Sequence, residues 1–323
     1  MSPIIPSIAL NTGAKLPLFG LGTWTAMNAD ELKVALRVAL DAGYRLIDTA
    51  EIYTNEHVIG EILEEYFKEG KLKREEIFIT TKLPFYSMQP AEAEASIKKQ
   101  LASLRVDYID LYLVHCPLAM KLAGAVYVHE DINHIDTWRV LEKYYKSGQL
   151  KALGVSNFNS RQLQALYDKA EIKPANLQVE LHIYWPQFEL HDLCKKLNMS
   201  VTAYAPIGSP GRIAFRPNED WPIGSPMDDP VVVELSKQYG KTPAQILLRH
   251  LIHREISVIP KSTNPERVKQ NIDIFDFELK AVDQQKLLDV KTRVRLFEFR
   301  FGAGNKHFPF DDVDLTKKGN DDD

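Results

Sequence analysis

Residues 77–104 read IFITTKLPFYSMQPAEAEASIKKQLASL and combine two patterns that decide the fold. The first seven residues are largely apolar and β-branched, which favours a β-strand covered on both faces. Residues 90–104 are amphipathic and predict a helix that packs one face against the rest of the protein. The stretch as a whole therefore predicts one strand–helix unit.

The same unit recurs along most of the chain. Strand-like runs occupy residues 19–24, 45–50, 77–83, 108–117, 151–158, 175–182, 200–208 and 256–263, and an amphipathic stretch follows each run. Eight such units predict an α/β fold, the closed (β/α)8 or TIM barrel. An open doubly wound sheet is the alternative, but it usually has a glycine-rich phosphate turn after its first strand, and GLGTWTAMN (20–28) lacks the third glycine.

The remaining segments predict one domain over residues 1–323, with the barrel at about 19–274. Asn, Thr and Gly at 11–13 suit a turn, so residues 7–18 predict an N-terminal hairpin that closes the bottom of the barrel. A further helix is predicted over 280–290. Residues 291–323 form a C-terminal tail whose final TKKGNDDD is expected to be disordered.

Helix ends are marked by residues with defined capping roles. Glycines suited to a left-handed helix C-terminus are Gly43, Gly70, Gly148 and Gly240. Polar side chains suited to accept free N–H groups at helix N-termini are Asp30, Asn55, Ser160 and Thr242.

Composition narrows the class of function. The 323 residues are 45% hydrophobic and 26% charged, with a formal net charge of −4, which argues against a general nucleic-acid-binding surface. Two cysteines, Cys116 and Cys194, do not make a disulfide framework. The N-terminus does not resemble a signal peptide, and no apolar stretch reaches membrane-spanning length. We expect a cytoplasmic protein without membrane or nucleic-acid partners.

Polar residues gather where the predicted strands end, which is where barrel enzymes place their chemistry. The residues at or near these ends are Asp48, Tyr53, Lys82, His115, Ser156, Asn157, Gln178, Glu180, Tyr204, Lys261 and Ser262. Taken singly, each has a structural explanation: Asp48 can cap a helix, Lys82 can lie on the surface, and His115 can be a hydrogen-bonded core residue. Their concentration at one end of the barrel favours a functional site.

Four of these residues suggest a reaction. A free tyrosine has a pKa near ~10, and a neighbouring ammonium group lowers it. We expect Lys82, held charged by Asp48, to do this for Tyr53, which can then protonate a carbonyl oxygen. His115 can donate a hydrogen bond to the same oxygen. The set contains no strong nucleophile, so carbonyl reduction with hydride from an external cofactor fits best.

Several stretches resemble the signatures of the aldo-keto reductase family. These stretches are GYRLIDTAEIYTNE (43–56), LVHCP (113–117), LGVSNF (153–158) and VIPKSTNPERVKQN (258–271), and the resemblance extends over about residues 7–290. It implies that Tyr53, His115, Lys82 and Asp48 are the catalytic residues. It also implies a monomer that reduces a small carbonyl compound, with a C-terminal tail, FEFRFGAGNKHFPF (297–310), closing the substrate pocket.

The resemblance further implies a nicotinamide cofactor. Ser156, Asn157 and Gln178 match residues that bind the nicotinamide carboxamide, Tyr204 matches the ring that stacks on the nicotinamide, and Ala205, Pro206, Ile207, Gly208 and Ser209 belong to a loop over the pyrophosphate, beside Gly22 and Thr23. Lys261, Ser262 and Arg267 match the 2′-phosphate site, which predicts NADPH, with NADH possible. Asn271 matches the adenine contact. Gln270 replaces a common glutamate, so the preference for NADPH can be looser.

Three departures from the better-known aldose reductases concern the substrate. Cys116 and Pro84 stand where those enzymes usually have aromatic residues, and Ile183 stands where they usually have proline. We interpret Cys116 as part of a pocket wall, although its position beside His115 also suggests a nucleophile or a metal ligand. The expected substrate-binding residues are Trp24, Ile52, Pro84, Phe85 and Cys116.

Two alternatives to an active reductase stay open. A metal-dependent barrel hydrolase would use ligands such as His115, Asp48, Glu180 and His182, but an H-x-H pair after the first strand is missing, and we expect no metal site. The second alternative is a regulatory or structural relative of the family that binds the cofactor but has little turnover.

Overall fold

The computed structural model describes residues 4–124, 126–218 and 220–316. Its strands, in chain order, are β1 (Ser7–Ala9), β2 (Lys15–Pro17), β3 (Leu21–Gly22), β4 (Leu46–Asp48), β5 (Phe78–Leu83), β6 (Leu111–Val114), β7 (Met120–Ala123), β8 (Val126–His129), β9 (Leu153–Ser156), β10 (Asn176–Glu180), β11 (Ser200–Tyr204) and β12 (Ser257–Val258). One sheet contains eight of them in the order β12-β11-β10-β9-β6-β5-β4-β3, and its neighbouring strands are parallel. The predicted α/β fold with eight strand–helix units is confirmed.

The sheet closes on itself between its first and last strands. Parallel bridges join Phe19 to Val258 and Gly22 to Lys261. The Gly22 N–H donates to Pro260 O over 3.1 Å. A Cβ atom at Gly22 would lie 2.6 Å from Ile259 O, so a residue without a side chain is required where the two strands meet. The result is a closed barrel rather than an open sheet.

Helices cover the outside of the barrel. They are α1 (Ala29–Ala42), α2 (Glu56–Lys68), α3 (Pro90–Leu104), α4 (His134–Lys146), α5 (Ser160–Lys169), α6 (Phe188–Lys196), α7 (Arg212–Phe215), α8 (Pro230–Tyr239), α9 (Pro243–His253), α10 (Pro265–Ile272) and α11 (Ala281–Leu288). Their buried faces pack against the outer side chains of the strands in one large apolar core. The short helix α7 lies in the connection between β11 and α8 and was not predicted from the sequence.

Helix capping matches the prediction at some ends and differs at others. All four predicted glycines have positive φ, between 62° and 102°. Among the predicted N-caps, the Thr242 side chain accepts the Gln245 N–H, as expected. Asp30 and Ser160 are not the caps: the preceding asparagines, Asn28 and Asn159, cap α1 and α5 because their backbones adopt the extended conformation that a cap requires.

Two hairpins lie at opposite ends of the barrel. Strands β1 and β2 pair antiparallel, and Leu10 and Leu16 pack against Leu46, Phe78 and Leu111 inside the barrel. The predicted N-terminal hairpin is thus confirmed at the end where the strands begin. Strands β7 and β8 form a second antiparallel hairpin in the connection between β6 and α4, and this hairpin was not predicted from the sequence.

The C-terminal segment returns over the carboxyl ends of the strands. Asn305 Nδ2 donates to Ala119 O over 3.1 Å, and Gln162 Nε2 donates to His307 O over 2.8 Å. The extension over this end of the barrel agrees with the predicted fold. The expected disorder of TKKGNDDD concerns residues 316–323, which lie outside the described residues except for Thr316.

Candidate active site

A buried ion pair supports the site. Asp48 ends β4, Lys82 lies near the end of β5, and Lys82 Nζ is 2.6 Å from Asp48 Oδ1. The ammonium group also donates to Thr49 O over 2.8 Å, and Gln178 Nε2 donates to Asp48 Oδ2 over 2.7 Å. Burial raises the pKa of Asp48 and lowers that of Lys82, while their mutual attraction opposes both shifts. These hydrogen bonds are what make a charged pair tolerable inside the barrel.

Tyr53 lies directly above this pair. It ends a short 3₁₀ turn, Glu51–Tyr53, that follows β4. The Asn55 side chain holds the turn, because Nδ2 donates to Thr23 O over 2.9 Å and Oδ1 accepts from Thr49 Oγ1 over 3.1 Å. Asn55 therefore joins the segments that follow β3 and β4 instead of forming the predicted cap on α2. Lys82 Nζ lies 5.1 Å from the centroid of the Tyr53 ring.

The direction of the Tyr53 pKa shift differs from the expectation. We expected Lys82 to lower this pKa. Instead, burial of the phenol, together with the negative charge of Asp48, raises the pKa of Tyr53 well above its usual value. The expectation weighed the charge of Lys82 and omitted burial, and in the folded protein Tyr53 keeps its proton at neutral pH.

His115 faces Tyr53 at the end of β6. The two ring centroids are 5.8 Å apart, with the planes at 80°. Burial, followed by the charge of Lys82, holds the pKa of His115 well below its usual value, so the imidazole is neutral. Its Nδ1 atom is buried and has no hydrogen-bond partner in the described parts of the chain. A neutral imidazole beside a protonated phenol provides two hydrogen-bond donors at one place.

Cys116 does not have the properties of a nucleophile. It is buried and packs with Phe85, Leu118 and Met120. Burial raises the pKa of its thiol to about 12, and the reactive thiolate is therefore scarce at neutral pH. Cys116 lines the cavity, as expected for a residue of the pocket wall.

The residues matched to nicotinamide binding are already linked to one another. Tyr204 Oη donates to Asn157 Oδ1 over 2.9 Å, and Asn157 Nδ2 donates to His115 O over 2.9 Å and to Ser156 Oγ over 3.1 Å. Asn157, Ala205 and Ser209 have φ values of 62°, 49° and 46°. Left-handed backbone at residues other than glycine is strained and is concentrated at functional sites in proteins.

One cavity of about 1180 Å³ runs across the carboxyl ends of the strands. Its walls include almost all of the predicted site residues: Asp48, Tyr53, His115, Gly22, Thr23, Ser156, Asn157, Gln178, Tyr204, Ala205, Pro206, Ile207, Ser209, Lys261, Ser262, Arg267, Gln270, Asn271, Trp24, Ile52, Phe85 and Cys116. Lys82, Pro84 and Gly208 do not line it. Lys82 is 1% exposed and is hydrogen-bonded to Asp48 and Thr49, and Pro84 is buried next to the wall residue Phe85.

Two cations stand at the far end of the cavity. Burial lowers the pKa of Lys261; the negative charge of Glu31 opposes this shift, and the nearby positive charge of Arg267 adds to it. Neither head group is in an ion pair with any residue that the structure describes. Arg267 lies in the first turn of α10, where the dipole of the helix also favours an anion. The pair suits a phosphate group.

Several aromatic residues of the cavity wall were not predicted individually from the sequence. Phe215, Trp221, Phe297, Phe299 and Phe301 all line the cavity. The signal for three of them was the alternation in FEFRF (297–301), which could be assigned only to a closing tail. Trp221 and Phe215 belong to the segment between β11 and α8. There Arg212 donates hydrogen bonds to the carbonyl groups of Gly208, Ser209, Pro222 and Gly224.

Two further findings concern metals and membranes. Within residues 4–124, 126–218 and 220–316, no three His, Cys, Asp or Glu side chains come together as metal ligands. Glu180 and His182, which were considered as possible metal ligands, are hydrogen-bonded to each other, with 2.9 Å between His182 Nε2 and Glu180 Oε1. Over the same residues, the helices are too short or too polar to cross a membrane.

The chain was compared with known families and proteins. The Aldo/keto reductase family model matches residues 18–290. Aldo-keto reductase family 1 member A1 from Bos taurus is 41% identical over 313 residues, covering 94% of this chain and 95% of the relative. The Homo sapiens protein of that name is 42% identical, with the same coverage. The solved structure of the aldose reductase from Schistosoma japonicum has a TM-score of 0.87 and 35% identity, covering 95% of this chain and 99% of that one. The chain therefore belongs to the aldo/keto reductase family of oxidoreductases, and this membership supports carbonyl reduction.

Proposed function

We propose that the protein reduces aldehydes or ketones to alcohols with NADPH, and that Tyr53 donates the proton. The main support for this reaction is the position of Tyr53 and His115 on the cavity floor, next to the buried pair of Lys82 and Asp48. A carbonyl oxygen placed between the phenol and the imidazole would accept a hydrogen bond from each. Both donors are in the required protonation state at neutral pH.

The protein residues have distinct tasks in this proposal. Tyr53 releases its proton as negative charge develops on the carbonyl oxygen, and general acid catalysis of this kind accelerates reactions by about 10²–10⁴-fold. The positive charge of Lys82 favours the phenolate that remains. Asp48 keeps Lys82 ionised, and Gln178 in turn orients Asp48. His115 orients the substrate, and the cavity walls exclude water from it.

The cofactor side is supported by residues in the same cavity. NADPH supplies the hydride when bound. Asn157 and Gln178 offer amide groups for a carboxamide, and the ring of Tyr204 offers a face for stacking. At the opposite end, Lys261 and Arg267 offer two positive charges for a 2′-phosphate, which distinguishes NADPH from NADH.

The first experiment is a substrate panel. Purified protein is mixed with NADPH or NADH and with aldehydes and ketones of increasing size, and the absorbance of the reduced cofactor is followed. We expect carbonyl-dependent oxidation that is faster with NADPH. Failure to bind either cofactor would exclude the proposal, and binding without oxidation for any substrate would indicate a regulatory or structural relative instead.

The cofactor preference gives a separate prediction. Arg267→Leu should weaken NADPH binding by about 1.5–3 kcal/mol, since it removes a charged hydrogen-bond donor to phosphate, and should change NADH binding much less. Lys269→Gln on the same helix is the control, because Lys269 points to Glu266, 3.3 Å away. The dissociation constants of NADPH and NADH are measured for each variant by quenching of tryptophan fluorescence. Equal weakening for the two cofactors would remove the 2′-phosphate assignment.

We also propose a cytoplasmic monomer. Cys116 and Cys194 are both free and buried, and their use as core residues fits a reducing compartment. Light scattering coupled to size-exclusion chromatography tests the monomer, and a mass twice that of one chain would contradict it.

A further inference from the structure

Glu180 is a buried carboxylate at the end of β10 to which the proposed reaction gives no role. It is 1% exposed. Oε1 accepts the Leu296 N–H over 2.6 Å, and Oε2 accepts the Phe297 N–H over 3.0 Å. His182 Nε2 lies 2.9 Å from Oε1. Both oxygens of this one side chain thus hold two successive peptide groups of the C-terminal segment.

We define residues 296–301 as the substrate wall. The two peptide N–H groups that Glu180 accepts belong to its first two residues. All six of these residues line the cavity. The Phe297 ring makes edge contacts with three cavity-lining aromatic residues that lie outside the substrate wall. Its centroid lies 5.5 Å from that of Trp24 after β3, 5.6 Å from that of Tyr204 on β11, and 5.7 Å from that of Trp221.

Other barrel contacts of this segment lie before and after the substrate wall. Val294 N–H donates to Tyr184 O over 3.0 Å, and the Asn305 side chain donates to Ala119 O over 3.1 Å. Between these two contacts, Glu180 is the acceptor of the backbone hydrogen bonds that join residues 295–304 to the barrel, within the part of the chain that the structure describes. Glu180 is therefore the backbone anchor nearest to the Phe297 ring.

We propose that Glu180 is a positioning residue for substrate selectivity, which fixes the substrate wall through the two peptide groups of Leu296 and Phe297. The inference rests on the proposed reduction of carbonyl compounds in this cavity. A substrate with a bulky apolar or aromatic group beside its carbonyl carbon reaches the substrate wall, whereas a short aldehyde fits between Tyr53 and His115 without it. Glu180 thus favours the bulky class.

Three variants test this role. Glu180→Gln keeps the shape of the side chain, but its amide NH₂ does not accept a hydrogen bond, so one of the two peptide N–H groups loses its acceptor. Phe297→Ala removes the ring itself. Glu142→Gln is the matched control: Glu142 is also buried, and its Oε1 accepts the N–H groups of Glu171 and Ile172 over 2.7 and 3.0 Å, on the outer face of the barrel.

The first readout is selectivity, given as kcat/KM for benzaldehyde divided by kcat/KM for propanal. Glu180→Gln should lower this ratio about tenfold, the effect expected when a buried peptide group loses its acceptor and the wall shifts. In a Phe297→Ala background, the same change should alter the ratio less than about twofold, because residues that act together are not additive. Glu142→Gln should leave the ratio at its wild-type value.

The second readout does not require turnover. Hydrogen exchange of the Leu296 and Phe297 amides should accelerate at least about tenfold in Glu180→Gln and stay unchanged in Glu142→Gln. Unchanged exchange in Glu180→Gln, or an unchanged selectivity ratio, would overturn the proposal. If Glu180→Gln does not fold, a wild-type selectivity ratio in Phe297→Ala overturns it. A wild-type protein that reduces no carbonyl compound would exclude the proposed function, while the exchange result would still decide whether Glu180 holds the substrate wall.

Discussion

At the scale of single residues, burial decides the protonation of the ionisable groups around the cavity floor. It raises the pKa of Tyr53 and of Cys116 and lowers the pKa of His115. The phenol therefore keeps its proton, the thiol is unreactive, and the imidazole is neutral. A sequence names these residues but does not give their depth, which is why the Tyr53 shift was expected in the wrong direction.

Glu56 provides a prediction of pH dependence. It is buried, accepts hydrogen bonds from Thr81 over 2.5 Å and Gln100 over 2.9 Å, and is also influenced by Glu51 and Lys82. Burial raises its pKa to about 7. Because the folded state binds this proton more tightly than the unfolded state, the stability that it contributes is present at acidic pH and is lost as pH rises toward 7.

The experiment compares wild type with Glu56→Gln, which does not titrate. The free energy of unfolding of wild type, relative to the variant, should fall by up to about 1.4 kcal/mol per pH unit between the ordinary glutamate pKa and neutrality, and then level off. Urea unfolding at a series of pH values measures it. Glu61→Gln is the control, since Lys33 lowers the pKa of the partly exposed Glu61 and its trend has the opposite sign. A flat difference for Glu56→Gln would contradict the account.

At the scale of elements, the segment between β11 and α8 depends on Gly208. Gly208 has a φ of 80°, and a Cβ atom there would lie 2.3 Å from Pro226. Gly208→Ala should therefore displace this segment, at a cost of about 1–3 kcal/mol for the backbone alone, and should weaken NADPH binding. In Gly211→Ala the new methyl group meets no protein atom within 4 Å and φ is negative, so the segment should keep its position and binding should weaken less than in Gly208→Ala. Titration of both variants with NADPH checks the prediction, and equal affinities would show that the segment does not cover the cofactor.

The periodicity of the sequence predicted these elements well, and their ends less well. Each predicted strand contains an observed strand, because continuous apolar runs have few other ways to be buried. Capping depends on one backbone conformation at one residue. Asn28 and Asp30 are both chemically suitable for the start of α1, and the extended φ and ψ of Asn28 decide between them. The β7–β8 hairpin was missed because its exposed strands contain no buried apolar run to reveal them.

At the scale of the whole molecule, the candidate site forms because barrel closure brings distant strand ends together. Gln178 and Asp48 are 130 residues apart in sequence, and their side chains are hydrogen-bonded. Knowledge of this fold class allowed the site residues to be grouped from the sequence, since strand ends in a parallel barrel meet at one end. The contacts of Glu180 with the C-terminal segment follow no such pattern and are apparent only in the folded structure. That residues 1–323 form one domain stays a prediction.

The central claim is that Tyr53 donates a proton during NADPH-dependent reduction. The most direct measurement is a single turnover, in which Tyr53→Phe already loaded with NADPH is mixed with an aldehyde and the loss of reduced cofactor is followed. Tyr145→Phe on the outer helix α4 serves as the control. We predict a rate at least about 10²-fold below wild type for Tyr53→Phe, with nearly unchanged NADPH affinity, because only the acidic hydroxyl group is lost. A wild-type rate of NADPH oxidation in Tyr53→Phe would contradict the account.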